Sequence, residues 1–414
     1  MIDLLTLPNG VRLVSERVDS VRSAAVGIWV GAGSRCERAG EEGSAHFIEH
    51  MLFKGTKQSS AAELAWRMDA IGGQINAFTT RDTTCFYARV LDTHLDLASD
   101  ILTEMFFDSL FREEDVMSER GVVLEEIDMY RDTPEDLVVE QLIRKAFPGP
   151  LGRPVLGRPA TLLKMTGEEL RAFKAREYSP DRIVISLCGS FSDWQLMRLA
   201  ERFGGLSAPR PRAYKNGQYR AAVAVKKKST EQNHFCLSWP GPSDKAEERF
   251  AWQVLSNILG GGMSSRLFQT VREKYGLCYS IGSFVTPFSD TGMFAIDTAV
   301  NRESERRALE LIRREVERFR QEGITAQELD LTREQIKSNL VLALESTSAR
   351  MNRMGSSILL RGRCDPIDEV IERYDAVSAE DVLSLARERL DPEDMGFSAV
   401  GRIAAADEYL SLLK

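Results

Sequence analysis

The segment AHFIEHMLFKGT, residues 45–56, places His46 and His50 one helical turn apart with Glu49 between them. The chain has only four histidines, and half of them stand here. On an α-helix, positions i, i+3 and i+4 share a face, so His46, Glu49 and His50 converge. Phe47, Ile48, Met51 and Leu52 are then left to pack against a core, and Glu41, Glu42, Gly43 and Ser44 precede the run as helix-start residues. Two imidazoles one turn apart can bind one metal ion, and imidazole plus carboxylate with an open position suits catalytic Zn2+. A glutamate beside such a site can take a proton from water. The bland alternative is an amphipathic helix with two surface histidines. In a chain this poor in histidine, a chance His-x-x-Glu-His match has a rate on the order of one per cent or less.

A third ligand should be a carboxylate on another helix. The run EDVMSERGVVLEEIDMYRD, residues 114–132, supplies Glu119, Glu125 and Glu126. Glu119 and Glu126 are seven residues apart and share a face to within about 20°. Glu125 points about 100° away from Glu126. A pair on one face suits a ligand plus a supporting carboxylate, but spacing alone does not separate that arrangement from a solvated acidic face.

These segments must be carried by a larger framework. In the first half of the chain, strands are expected near 4–8, 11–17, 23–30, 74–80, 83–91 and 182–188, with a hairpin turn at Pro8-Asn9-Gly10. Helices are expected near 42–54, 60–72, 93–110, 112–131, 134–147, 166–177 and 193–204. The second half repeats the theme, with strands near 220–227, 231–239, 278–288, 291–299 and 394–400. Its helices include 244–259, 264–275, 302–323, 326–347 and 378–389.

The halves match in detail. Thr166 and Ser378 are helix N-cap candidates, Pro180 and Pro392 break the helices that follow, and Gly189 and Gly401 end the next strands. Each pair stands 212 residues apart. A fainter match aligns Trp29 with Trp239 and Gly31 with Gly241. The reading is a duplication into two homologous domains, 1–210 and 219–414, with a linker at about 207–218 rich in Pro, Gly and polar residues. Runs of strands separated from runs of helices give an α+β fold class, each domain a mainly antiparallel sheet with helices on one face. The segment of the second copy that aligns with His46–His50, near 256–265, has no histidine and no carboxylate.

Composition narrows the function classes. The net charge of −8 argues against nucleic acid as the main partner. The single basic run, Lys226-Lys227-Lys228, reads as a solvated strand end. No apolar run reaches membrane-spanning length. The first residues lack a basic region followed by a long apolar core, so no export is expected and the protein reads as cytoplasmic. Six scattered cysteines without a close pair read as thiols of a reducing compartment.

With HFIEHMLFKGT and the downstream glutamate helix in place, the chain resembles the pitrilysin-type, or inverzincin, M16 metallopeptidases over essentially its whole length. It is most similar to their short-chain branch, which includes mitochondrial processing peptidase and bacterial relatives. The resemblance implies one Zn2+ held by His46, His50 and Glu126, with Glu49 as general base and Glu119 as the family's additional glutamate near the metal. It makes Asn76, Ala77 and Phe78, in GGQINAFTTRDTTCFYARV, part of an edge strand that holds an extended peptide. It also makes Arg272 and Tyr279, in GGGMSSRLFQTVREKYGLCYS, substrate contacts that stabilise the oxyanion from across a chamber. Two such chains enclose the chamber, so a homodimer, or a pair with an inactive homologue, is implied. The function expected is a zinc endopeptidase acting on peptides or unfolded, presequence-like segments. The alternative is a non-catalytic partner subunit of the same fold. His94 and His234 lie outside any cluster.

Overall fold

Pro8, Asn9 and Gly10 turn the chain back on itself at its start. Gly10 takes a left-handed φ of 99°, and β1 (Ile2–Thr6) pairs antiparallel with β2 (Arg12–Arg17). The computed structural model describes residues 2–209 and 213–413. The linker expected over 207–218 includes residues 210–212, which lie outside the described residues.

The first half continues with β3 (Ser23–Val30), α1 (Ser44–Met51), α2 (Ala61–Asp69), β4 (Gln74–Thr79), β5 (Thr84–Leu91), α3 (Leu95–Asp108) and α4 (Glu113–Asp132). Next come α5 (Pro134–Ala146), α6 (Pro159–Leu162), α7 (Gly167–Glu177), β6 (Ile183–Gly189) and α8 (Asp193–Gly204). The second half holds β7 (Val223–Lys227), β8 (Asn233–Gly241), α9 (Arg249–Gly260), β9 (Cys278–Pro287), β10 (Gly292–Val300), α10 (Glu305–Glu322) and α11 (Ala326–Ala343). It closes with α12 (Thr347–Arg361), α13 (Ile367–Ala376), α14 (Ala379–Arg389), β11 (Gly396–Gly401) and α15 (Ala406–Leu413).

The chain forms two compact units. One comprises Met1–Ile127, Arg153–Lys215 and Val341–Pro366; the other comprises Asp128–Gly152, Asn216–Leu340 and Ile367–Lys414. In the first, the sheet order is β1-β2-β6-β3-β5-β4, antiparallel except for the β2–β6 pair. One sheet face buries Val26, Ile28, Phe86 and Ile185 with Phe47 and Ile48 of α1 and Ile101 and Leu102 of α3. The other face packs Val14, Ala25, Trp29 and Val184 against Met351, Met354 and Ile358 of α12. The second unit has the order β7-β11-β8-β10-β9, with β7–β11 parallel. Phe235, Leu237, Ile296 and Phe397 face helices α9, α10 and α14. Cys236, Ala295 and Val400 face Val138 and Leu142 of α5.

The fold is therefore α+β, with helices packed on two sheets. Two features enrich the expectation. Each sheet holds one parallel pair, and each carries on its second face a helix from the other half of the sequence. With β1 set aside, the two strand orders correspond one to one. The repeat landmarks correspond as well. Thr166 and Ser378 close capping boxes with Glu169 and Asp381, and Pro180 and Pro392 open short 3-10 turns. Gly189 and Gly401 end their strands at φ 117° and 143°.

Two expected helices differ. The helix anticipated over 326–347 ends early, at Ala343, because Ser346 takes extended backbone and caps a new helix, its hydroxyl accepting from Ala349 N. The helix anticipated over 264–275 is π-helical at Phe268–Lys274.

Candidate metal centre

Helix α1 is only eight residues long, and its N-cap residue is Gly43, whose φ is 101° and which offers no side-chain cap. Glu37 supplies the acceptor instead, its Oε1 taking the Ala45 N–H at 3.0 Å. Phe47, Ile48 and Met51 are fully buried. At about 1.5–3 kcal/mol each, their burial exceeds the roughly 1 kcal/mol of a missing N-cap. The apolar face thus fixes the helix, and the face left over presents His46, Glu49 and His50.

Helix α4 supplies the opposite wall. Its first turn carries Glu113, Glu114 and Asp115, which suit a helix N-terminus. Its buried stripe is Val116, Glu119, Val123 and Ile127. Glu119 is 4% exposed in that otherwise apolar stripe, so it needs an internal partner. It has two: His50 Nδ1 stands 2.8 Å from its Oε1, and Lys54 Nζ pairs with its Oε2. Glu126 lies one step along the same face, half-buried, while Glu125 is exposed.

The Nε2 atoms of His46 and His50 stand 3.5 and 3.6 Å from Glu126 Oε2. One ligand atom from each of His46, His50 and Glu126 falls within 4.8 Å of the others. These separations are too long for good hydrogen bonds, so the groups converge without satisfying one another. Atoms bound at about 2.0–2.2 Å to a tetrahedral ion stand about 3.3–3.6 Å apart. Both histidine–glutamate separations already have that spacing. Two imidazoles and one carboxylate, with a fourth position open, form a zinc donor set. His50 also has the outer carboxylate that orients metal-ligating histidines. The residues fit a zinc ion.

The electrostatics follow from burial and neighbours. Burial, reinforced by His50, pulls the His46 imidazole down to about 4, which keeps it neutral. Burial also pulls on His50, but its contacts with Glu119 and Glu126 outweigh it and raise that ring to about 9. Glu126 is held below the usual carboxylate range, chiefly by His50. Burial pushes Glu49 up, opposed by a hydrogen bond in which Thr79 Oγ1 donates to Glu49 Oε2 at 2.6 Å.

Asn76, Ala77 and Phe78 lie on β4, which among the described residues pairs with β5 alone and is the edge of its sheet. Asn76 Oδ1 accepts from Ala77 N at 2.8 Å. The Phe78 ring packs edge-on to Trp29, on the sheet face that meets α12. Arg272 and Tyr279 belong to the second unit. They meet each other, the Arg272 guanidinium lying 5.1 Å from the Tyr279 ring centroid and 4.5 Å from that of Phe268. Tyr279 is 78% exposed. His94 is half-buried, His234 is buried in β8, and neither joins the triad. All six cysteines are free. Among the described residues, no helix is long and apolar enough to cross a membrane.

Two site residues carried no signal in the pattern of His and Glu spacing. Lys54 follows His50 by four residues, a helical spacing, but α1 ends at Met51 and only a turn brings it back to Glu119. Thr79 reaches Glu49 across the sheet edge, a contact with no sequence spacing of its own.

Fold and triad together define a class: a two-unit α+β chain whose first unit holds an inverted His-x-x-Glu-His helix facing a glutamate helix. The profile described as Insulinase (Peptidase family M16) matches residues 12–158, and that described as Peptidase M16 inactive domain matches 164–336. An uncharacterized zinc protease of Bacillus subtilis, YmxG, is 42% identical over 403 residues, covering 97% of this chain and 98% of the relative. An uncharacterized zinc protease of Streptomyces coelicolor is 41% identical over 396 residues, covering 93% and 86%. The crystal structure of a Pseudomonas fluorescens peptidase M16 inactive domain superposes with a TM-score of 0.90 at 19% identity, covering 98% and 99% of the two chains. That of a protease from Helicobacter pylori gives 0.89 at 22%, covering 97% and 99%. The chain belongs to the M16 peptidase family.

Proposed function

We propose that this chain is a zinc-dependent endopeptidase that cleaves peptides or unfolded segments. The observation that carries the reading is Glu49 lying among His46, His50 and Glu126, whose ligand atoms fall within 4.8 Å of one another, with both histidine–glutamate separations at the spacing of a zinc site. When bound, zinc supplies a Lewis acid that activates water and polarises a peptide carbonyl. His46, His50 and Glu126 hold it, and Glu119 fixes the His50 ring through Nδ1. Glu49 takes the proton from the attacking water and returns it to the leaving amine. Burial favours the proton-bearing form of Glu49, which suits a carboxylate that must accept one. The β4 edge offers backbone groups on which an extended peptide can add as a strand, beginning beside Thr79 and Glu49. Arg272 and Tyr279 are assigned to substrate by resemblance. The chain works as a dimer, with a second copy or a homologue lacking the metal residues.

The test is zinc content and turnover of a mixed peptide library by wild type and Glu49→Gln. About one zinc per chain in both proteins is expected, with turnover about 10²–10⁴-fold lower in the variant. Equal turnover in the two would remove Glu49 from the mechanism. A zinc-loaded wild type that cleaves nothing would favour the reading as a non-catalytic subunit.

A further inference from the structure

The reaction assigned to Glu49 requires its carboxylate to lose and regain a proton without changing place. One hydroxyl meets it, Thr79 Oγ1, at 2.6 Å from Glu49 Oε2. Thr79 is the last residue of β4 and stands directly opposite Thr84 of β5. The two hydroxyl oxygens are 3.3 Å apart. Thr84 is fully buried, and its own proton is committed to the Ala32 carbonyl at 2.9 Å. Towards Thr79, then, Thr84 can only accept.

A threonine hydroxyl has one proton to give and lone pairs to receive another. While Glu49 is ionised, Thr79 donates to it. Once Glu49 carries a proton, the carboxylic acid can donate to Thr79, whose own proton then turns to Thr84. Only a hydroxyl rotates between the two states. Every member of the row keeps a partner in both, which matters because an unsatisfied buried polar group costs about 1–3 kcal/mol.

The frame around this row is fixed from both sides. Ser34 N and Arg35 N donate to the carbonyls of Thr80 and Arg81 at 3.2 and 3.0 Å. The buried Arg35 Nη1 pairs with Asp82 Oδ1 at 2.7 Å. Two residues further on, Glu37 holds the first turn of α1. One four-residue segment, Ser34–Glu37, therefore ties the β4–β5 turn, which follows Thr79, to the helix that bears Glu49.

We propose that Thr79 is a positioning residue for Glu49, aiming the carboxylate in both of its protonation states with Thr84 as its alternate acceptor. The proposal rests on the peptidase reading above. Its test uses zinc-loaded wild type, Thr79→Val and Thr79→Ser in steady-state peptide hydrolysis, with zinc affinity measured by chelator competition. Valine keeps the shape and is the better strand former, whereas serine keeps the hydroxyl. The expected result is a kcat about 10- to 100-fold lower for Thr79→Val with KM little changed. Thr79→Ser should recover most of the loss, with zinc affinity alike in all three proteins. A merely structural threonine would reverse that order, and valine at least as active as serine overturns the proposal. A fall in zinc affinity that matches the fall in kcat overturns it too, because the role would then be structural. A wild type that binds zinc but cleaves no peptide would overturn the peptidase reading and the proposal with it. Activity in wild type and valine alike would overturn the proposal alone.

Discussion

Removal of the Glu119 carboxylate should weaken zinc binding more than it weakens the fold. Glu119 is buried and accepts from His50 Nδ1 at 2.8 Å, so it fixes the ring that presents Nε2 towards Glu126. A hydrogen bond to a charged group contributes about 1.5–3 kcal/mol. Outer carboxylates of metal-bound histidines contribute about 10- to 100-fold in affinity, which is about 1.4–2.7 kcal/mol. The two routes agree. Glu119→Ala also frees Lys54, but a third of that side chain is exposed and its ammonium can turn to water, so little is added. Glu119→Ala should therefore bind zinc about 10- to 100-fold more weakly. Glu119→Gln can still accept from His50, but its amide NH2 then faces the Lys54 ammonium, so a loss of about 3- to 10-fold is expected. Competition against a chromophoric chelator at neutral pH measures both, with a thermal melt of the metal-free proteins alongside. Zinc affinity in Glu119→Ala within about twofold of wild type would refute the reasoning that Glu119 acts through His50.

Two further outcomes test the framework. Glu328 pairs with Arg266 at 2.6 Å and accepts from Thr325 N at 2.8 Å. Burial resists ionisation, yet these partners carry the carboxyl down to about 2. The stability it contributes is therefore complete above its ordinary value and is lost as pH falls from about 4.5 towards 2. Discounted for partial exposure, the difference between wild type and Glu328→Gln in urea unfolding should be roughly 1–2 kcal/mol near neutral pH, narrowing by about pH 3; a gap that does not change with pH refutes it. Gly355 of α12 lies where a Cβ would overlap the Trp29 indole, so Gly355→Ala should destabilise by about 1–3 kcal/mol through overpacking. An unchanged urea midpoint would show that α12 can shift away from the sheet without cost.

Much of this protein was legible in local spacing, because local spacing is what a helix or a hairpin reads. The turn at Pro8–Gly10, the paired caps at Thr166 and Ser378, and the convergence of His46, Glu49 and His50 all depend on residues within one or two turns of each other. Spacing along α4 limited the third carboxylate to one of two faces without choosing between them. Tertiary packing made that choice, since burying Val116, Val123 and Ile127 turns Glu119 and Glu126 inwards and leaves Glu125 in water. Contacts between segments distant in sequence were decided only by the fold. Thr79 meets Glu49 because β4 ends at the sheet edge beside α1, and α12 covers a sheet built some 300 positions earlier because Met351 and Met354 match the hollow around Trp29 and Gly27. Periodicity records which face of an element is apolar; it does not record which other apolar face in the chain will cover it.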